Sequence, residues 1–216
     1  MKCDNHMMRL YAVTDRAWVG RLSLYEQVEA ALQHGVTCVQ LREKDLDEDS
    51  FFQEAVALRE LCHRYGVPLL INDNVALALR CGADGVHVGQ DDMDPRQARA
   101  LLGPNKIVGV TAHTLPEALA AVEAGADYLG LRCVFTTATK DNVVHLPYDT
   151  LREICHTVPI PTVAIGGVNR DNLMQLKGSG VDGVAVVSAI FAQDDPGQAT
   201  QELSYLVQEM LGGNER

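Results

Sequence analysis

Polar residue types that bind phosphate recur at the ends of four short apolar segments of this chain. The segments are residues 39–44 (VQLREK), 70–73 (LIND), 88–92 (VGQDD) and 163–167 (VAIGG). Two cations, two separated aspartates and a glycine pair are groups that hold Mg²⁺ and phosphate esters. The carboxyl ends of parallel barrel strands meet at one mouth, where groups remote in sequence converge. The recurrence therefore predicts a metal-assisted site for phosphorylated small molecules.

The first of these segments spaces its polar side chains like an extended strand. Gln40, Arg42 and Lys44 alternate and point to one side. Leu41 and Glu43 face the other side. Two cations and one amide directed into a cavity suit a diphosphate and a polar ring, and a solvated strand end is the alternative.

The aspartates of the second and third segments are the predicted metal ligands. Asn72 and Asp73 end the third predicted strand, and Asp92 follows the fourth, which is its neighbour in a barrel. Mg²⁺ prefers one or two carboxylates together with phosphate oxygens and water. A helix N-cap is the alternative role for Asp73, because a helix is predicted from Val75. No His/Cys cluster has the spacing of a zinc site, so a transition metal is not expected.

Further anion-binding groups follow the later strands. The glycine pair at 166–167 ends strand seven, and Val187 and Ser188 end strand eight, an order in which barrels bind phosphate. Residues 136–141 (TTATKD) open the longest non-periodic stretch and suit a binding loop. Thr111 ends strand five and is expected to face the mouth. No nucleophile–base–acid triad appears, so the predicted chemistry is electrostatic rather than covalent.

Strand and helix patterns alternate along the whole chain. The predicted strands are residues 10–13, 36–41, 69–71, 85–88, 107–110, 128–131, 162–165 and 184–187. Helical spacing between them predicts eight β/α units in one α/β domain, a (β/α)8 TIM barrel over residues 1–216, in which 1–8 form a disordered or peripheral extension. A doubly wound open sheet is the alternative, but no Gly-x-Gly-x-x-Gly follows the first strand.

An internal repeat supports this division into units. Residues 81–86, 124–129 and 179–184 each combine a helix end, a glycine, a small residue, an aspartate and a strand start. Asp84, Asp127 and Asp182 therefore lie at the amino ends of strands. We expect them to be structural, because barrel chemistry takes place at the opposite end.

Composition and charge exclude several classes of protein. The net charge of −11 argues against a nucleic-acid-binding surface. Six cysteines without a C-x-x-C pair indicate reduced thiols in a cytoplasmic protein. The first ten residues are too polar for a signal peptide, and no apolar run reaches the ~18 residues of a membrane span. The expected partners are small-molecule substrates, and a homo-oligomer remains open.

From residues 11–15 (YAVTD) to 187–190 (VSAI), the chain resembles the thiamine phosphate synthase family. The motifs in the family's order are 40–44 (QLREK), 72–73 (ND), 85–92 (GVHVGQDD), 112–114 (AHT) and 165–167 (IGG). The resemblance implies a transferase that joins 4-amino-5-hydroxymethyl-2-methylpyrimidine diphosphate to a thiazole phosphate, or its carboxylated form. Pyrophosphate is released, and Mg²⁺ is the implied cofactor.

The resemblance also implies roles for individual residues. Asp73 and Asp92 bind Mg²⁺, and Arg42, Lys44 and Lys140 act on the departing pyrophosphate. The implied substrate-binding set is Gln40, Leu41, Arg42, Glu43, Lys44, Asn72, Thr111, Thr137, Thr139, Lys140, Gly167, Val187 and Ser188.

One stretch departs from the family pattern. The family continues Gly-Pro-Val-Phe-Pro-Thr where this chain has residues 132–137 (RCVFTT). Arg132 adds a charge that either contacts a phosphate or obstructs the thiazole. Related thiazole tautomerases carry a histidine at Cys133 and tend to lack the full diphosphate and Mg²⁺ set, which favours the synthase. A non-enzymatic barrel that senses thiamine precursors is the other alternative.

Overall fold

Eight parallel strands close into a barrel in the order of the chain. The structure is a computed structural model that describes residues 3–132, 135 and 146–212. Its strands are β1 Leu10–Val13, β2 Cys38–Leu41, β3 Leu69–Asn72, β4 Gly85–Val88, β5 Ile107–Ala112, β6 Tyr128–Arg132, β7 Thr162–Ile165 and β8 Gly183–Val186. β8 pairs with β1, Leu10 lying opposite Val184, so the sheet has no edge. The predicted TIM barrel is confirmed, and the open-sheet alternative is wrong.

Helices surround the barrel and bury their apolar faces against it. They are α1 Leu24–Gln33, α2 Glu48–Arg64, α3 Val75–Cys81, α4 Pro95–Leu102, α5 Leu115–Glu123, α6 Tyr148–Thr157, α7 Ser188–Phe191 and α8 Pro196–Leu211. The helix predicted at 170–177 is instead a short 3₁₀ helix, Leu173–Leu176. Asn169 and Asn172 donate side-chain hydrogen bonds to the carbonyl of Gly167 and hold this segment in a turn. The short helix α7 was not predicted.

Side chains on alternate strand positions divide the core into two layers. The outer layer, which contains Leu41, packs under the helices. The inner layer fills the barrel with Met8, Tyr11, Val13, Cys38, Leu70, Ile107, Tyr128, Val163 and Ala185. Met8 is fully buried, and Thr37 Oγ1 donates to the Met7 carbonyl (3.0 Å). Met8 therefore belongs to the inner layer, and Cys3 and Met7 pack against it at the amino-terminal end of the barrel.

The three repeated aspartates lie at that same amino-terminal end. Each carboxylate accepts a hydrogen bond from a backbone N–H at the start of a neighbouring strand: Asp84 from Leu69 (2.9 Å), Asp127 from Val108 (2.8 Å) and Asp182 from Thr162 (2.8 Å). Each carboxylate thus pairs with a backbone N–H that would otherwise lack a partner at the start of a strand. The predicted structural role of the three aspartates is confirmed.

Candidate active site

The end of β2 brings two cations to the mouth. Arg42 Nη1 lies 3.3 Å from Asp15 Oδ2, and the Arg42 backbone N–H donates to Thr14 Oγ1 (3.0 Å). These contacts tie the cationic segment to the loop after β1. A cavity of about 450 Å³ opens between the two strand ends and is lined by residues 15–17 and 42–45. Its lining combines three cationic side chains, Arg16, Arg42 and Lys44, with three carboxylates, Asp15, Glu43 and Asp45.

Leu41 and Glu43 make their contacts within the protein. Leu41 is fully buried in the outer layer. Glu43 accepts hydrogen bonds from Arg16 Nε (2.6 Å) and from the backbone N–H of Lys44 (2.9 Å). Although burial opposes ionisation, Arg16 and the backbone donors lower the pKa of Glu43. Both side chains thus hold the shape of the turn that presents Arg42 and Lys44.

The predicted metal ligands face each other across the ends of β3 and β4. Burial, followed by a hydrogen bond with Asp92 and its charge, raises the pKa of Asp73 to about 6. Asn72, which bonds the Asp73 carboxyl, and the charge of Lys44 act in the opposite direction. The Asp92 Oδ2 atom also accepts from the Gly89 N–H (2.8 Å). The close approach of the two carboxylates favours the binding of a cation between them.

The helix-capping alternative for Asp73 is wrong. The N-cap of α3 is Asn74, whose side chain accepts from the Leu77 N–H (2.9 Å). Asp73 instead has a φ of 60°, unusual for a residue with a side chain, and its N–H donates to the His87 carbonyl (2.8 Å). This backbone strain aims the carboxylate at the mouth rather than at the helix.

A continuous chain of side-chain hydrogen bonds crosses the inside of the barrel below the mouth. Gln40 Nε2 donates to the Tyr11 hydroxyl (2.6 Å), which bonds the hydroxyl of Tyr128 (2.8 Å). Tyr128 bonds Nδ1 of His87 (2.8 Å), and Nε2 of His87 bonds the Thr111 hydroxyl (2.9 Å). Burial lowers the pKa of His87 to about 4 and opposes the weaker effect of a nearby aspartate, so this imidazole is neutral at pH 7.

Sequence reasoning did not assign a function to three members of this chain. Tyr11 and His87 lie in otherwise apolar inward-facing rows of β1 and β4, and Tyr128 begins the inward-facing row of β6. A polar aromatic residue in such a row is a signal that could have been read from the sequence. The hydrogen-bond partners of such a residue could not be read from the sequence, because they lie on strands up to 117 positions apart in the chain.

The ends of β7 and β8 are neighbours, and they place the phosphate-binding candidates together. Gly166 and Gly167 have φ values of 103° and 69°, a conformation that favours glycine. Val187 and Ser188 form the turn into α7. The predicted residues Thr137, Thr139 and Lys140 lie outside the described residues.

Arg132 stands at the mouth end of β6. Tyr128 and Gly130 face the barrel interior, since a Cβ atom at Gly130 would lie 3.0 Å from Cε1 of His87. Alternation places Arg132 on the same face, two positions nearer the mouth, with Ile165 of β7 opposite it in register. This position adds an arginine to Arg42 and Lys44 around the site.

The fold and the site together define a class: a TIM-barrel enzyme whose mouth is built for phosphorylated, anionic ligands. A family profile described as thiamine monophosphate synthase matches residues 10–190. The chain belongs to the thiamine monophosphate synthase family.

Individual relatives agree with this assignment. A thiamine-phosphate synthase of Clostridioides difficile (strain 630) is 47% identical over 188 residues, 87% of this chain and 90% of that protein. One of Chloroflexus aurantiacus is 50% identical over 200 residues, 92% of each. The solved structure of a thiamine phosphate pyrophosphorylase from Pyrococcus furiosus is 38% identical, has a TM-score of 0.87, and covers 96% of this chain and 99% of its own. Across 3–132 and 146–212, no helix combines the length and apolar character that crossing a bilayer requires.

Proposed function

We propose that this transferase condenses 4-amino-5-hydroxymethyl-2-methylpyrimidine diphosphate with a thiazole phosphate, or its carboxylated form, to give thiamine phosphate and pyrophosphate. The observation that carries the proposal is that three neighbouring strands, β2, β3 and β4, are followed at the mouth by Arg42 and Lys44, by Asp73 and by Asp92, with the charge of Lys44 acting on Asp73. Cations recognise the diphosphate, and the carboxylate pair provides a place for the cation that accompanies it.

Mg²⁺ is the cofactor that this donor set fits best. Among the described residues, no group of three or more His, Cys, Asp or Glu side chains could hold a metal. A pair of carboxylates, Asp73 and Asp92, leaves the remaining positions to phosphate oxygens and water, as Mg²⁺ prefers. When bound, the ion would neutralise charge on the diphosphate.

In this proposal, different residues of the mouth bind different parts of the substrates. Gln40 and Asn72 hold the pyrimidine diphosphate, and Thr111 lies beside it. Arg42 and Lys44, together with Lys140 of the segment outside the described residues, stabilise the departing pyrophosphate. The proposed thiazole phosphate site comprises Gly167, Val187, Ser188, Thr137 and Thr139.

The proposed reaction is a dissociative substitution. The thiazole nitrogen is a nucleophile with no proton to lose, so no general base is needed. The aminopyrimidine delocalises the positive charge that forms when the C–O bond breaks early. An electron-withdrawing group in place of the pyrimidine methyl should therefore slow turnover by orders of magnitude. Little slowing, measured where chemistry limits the rate, would indicate direct displacement instead.

One assay separates the proposal from its alternatives. Both phosphorylated precursors are mixed with Mg²⁺, and thiamine phosphate and pyrophosphate are quantified, with each precursor omitted in turn as a control. The synthase forms both products only in the complete mixture. A thiazole tautomerase would convert the thiazole alone and release no pyrophosphate, and a sensor would bind the precursors without turnover. The family assignment and the diphosphate-binding groups make these alternatives less favoured.

A cytoplasmic location is also proposed, from the chemistry of the thiols. No disulfide joins the five cysteines that the structure describes. Reduced thiols of this kind are typical of cytoplasmic proteins.

A further inference from the structure

Arg16 connects three elements that meet at the mouth of the barrel. It opens a short 3₁₀ helix, Arg16–Trp18, in the loop after β1. Its Nε atom donates to Glu43 at the end of β2 (2.6 Å), and its Nη2 atom donates to both carboxylate oxygens of Glu54 on α2 (2.7 and 2.8 Å). Two of the three guanidinium nitrogens are therefore bonded to carboxylates of the protein rather than left for a ligand.

Glu43 links this arginine to the segment that carries the cations of the site. The Glu43 side chain is only 2% exposed. One of its carboxylate oxygens accepts from Arg16, and the other accepts from the backbone N–H groups of Lys44 (2.9 Å) and Asp45 (3.2 Å). Arg16 therefore holds this carboxylate on the protein side of the turn that presents Lys44.

The two cations of the site differ in whether the protein already pairs them. Arg42 Nη1 lies 3.3 Å from Asp15 Oδ2, whereas Lys44 is exposed and forms no ion pair with a described residue. The charge of Lys44 acts on Asp73, so this ammonium group interacts with the proposed metal pair. Lys44 is thus the cation that the free protein leaves available to an anion.

A glutamate released beside these cations would compete with an anionic ligand. Without Arg16, the nearly buried carboxylate of Glu43 would lose its cation, which is unfavourable. The other cations that line the cavity are Arg42 and Lys44. An ion pair between Glu43 and either of them would neutralise charge that a diphosphate needs.

We propose that Arg16 is a positioning residue for diphosphate binding, which keeps Glu43 paired within the protein and so leaves Arg42 and Lys44 to the ligand. Arg16 acts through Glu43 and does not have to touch the substrate. The inference rests on the proposed function for the identity of the anion as a diphosphate. Arginine suits this role better than lysine, because its planar fork bonds two carboxylates at once.

The test measures the binding of inorganic pyrophosphate with Mg²⁺ by isothermal titration, which needs no turnover. In Arg16→Gln we expect the Kd to rise about tenfold, the scale of a lost charge-assisted contact. The KM for the pyrimidine diphosphate should rise by the same factor. The KM for the thiazole phosphate should change less than about twofold, since its proposed site shares none of these contacts. An unchanged Kd in folded Arg16→Gln protein would overturn the inference.

A double variant separates charge competition from a loss of shape. Arg16→Gln combined with Glu43→Gln removes the arginine together with the carboxylate that it would release. We expect this double variant to bind pyrophosphate within about threefold of the wild type, because no unpaired charge remains when both partners are replaced. An arginine that only stabilised the fold would give a double variant at least as weak as Arg16→Gln, and that result would also overturn the inference.

Two further variants at the same position keep the test independent of folding. Arg16→Lys retains a cation that pairs with one carboxylate at a time, so its Kd should lie between those of the wild type and Arg16→Gln. If circular dichroism shows that Arg16→Gln is not folded, Arg16→Met takes its place with the same expected Kd, because it keeps the apolar stem of the side chain.

Arg99→Gln is the matched control. Arg99 bonds the carboxylate of Asp127 and the backbone carbonyls of Gly103 and Gly125 at the opposite end of the barrel. This variant should lower the melting temperature and leave the Kd for pyrophosphate unchanged. A rise in Kd equal to that of Arg16→Gln would show a general effect of lost stability and would contradict the positioning role.

The same measurements distinguish failure of the inference from failure of the proposed function. A wild-type protein that binds pyrophosphate more tightly than Arg16→Gln, but forms no thiamine phosphate from the two precursors, would overturn the proposed function alone. A wild-type protein that forms thiamine phosphate, beside an Arg16→Gln variant that binds pyrophosphate equally well, would overturn the inference alone.

Discussion

The two ends of the barrel use aspartate in opposite ways. At the amino-terminal end, Asp84, Asp127 and Asp182 each accept a backbone N–H and hold strands in register. At the mouth, Asp73 and Asp92 lie against each other, and burial together with this contact raises the pKa of Asp73. The three carboxylates at the amino-terminal end are paired with donors of the protein, whereas the charge of Asp73 and Asp92 at the mouth is left for a ligand to neutralise.

This contrast separates residues that stabilise the fold from residues that perform the chemistry. A like-charge pair in a partly buried position is unfavourable, so its presence at a strand mouth indicates function. An aspartate that satisfies a strand's first donors contributes to stability in the free protein. Substitutions at each end of the barrel test that separation.

The largest expected effect concerns the carboxylate pair. Asp73→Asn and Asp92→Asn should each reduce kcat at least about a hundredfold, because the diphosphate charge is then less neutralised. Neither should lower the melting temperature, since each removes a like-charge contact. Steady-state kinetics at limiting Mg²⁺ and thermal unfolding measure the two effects. Wild-type activity in both variants would show that the pair is not the metal site.

The cations of β2 come next. Arg42→Ala or Lys44→Ala should weaken use of the pyrimidine diphosphate by about ten- to a hundredfold, the typical loss of a charge-assisted contact of ~1.5–3 kcal/mol. The KM for the thiazole phosphate should change far less. Kinetics with one substrate varied at a time provide the measurement. Equal damage to both substrates would point to a misfolded mouth.

The amino-terminal aspartates should show the reverse pattern. Asp127→Ala leaves the Val108 N–H and the Arg99 guanidinium without their carboxylate. We expect the free energy of unfolding to fall by about 1–3 kcal/mol, with kcat at 25 °C nearly unchanged. Urea unfolding monitored by circular dichroism measures the free energy of unfolding, and steady-state kinetics of the same preparation measure kcat. A large loss of kcat in a stable variant would contradict the separation of the two ends.

The smallest expected effect concerns Glu43, a carboxylate at the mouth end that is hydrogen-bonded within the protein. Arg16 and backbone donors lower its pKa against the effect of burial. Its contribution to stability is therefore present above the unfolded-state pKa and is lost as pH falls through the folded-state value. The free energy of unfolding of Glu43→Gln should depend less on pH below about 4.5 than that of the wild type. Identical pH profiles would show that the pairing with Arg16 adds no stability.

Local patterns in the sequence were sufficient for most of the fold. All eight predicted strands lie within two residues of the observed bounds, because apolar runs punctuated by glycine and proline are local signals. The structural role of Asp84, Asp127 and Asp182 also followed from a repeated local pattern. The segment 170–177 was predicted wrongly, since side-chain hydrogen bonds from Asn169 and Asn172 to the Gly167 carbonyl override its helical spacing.

The strand pattern alone was enough to predict which residue types reach the mouth: the cations at 42 and 44, the carboxylates at 73 and 92, and the glycine pair at 166–167. Alternation along a strand and the position of each strand end were enough for that. Two features became visible in the folded protein alone: Asn74 rather than Asp73 caps α3, and Tyr11 and Tyr128 connect Gln40 to His87. Side-chain hydrogen bonds between strands depend on the register and closure of the barrel, which are set by all eight strands together.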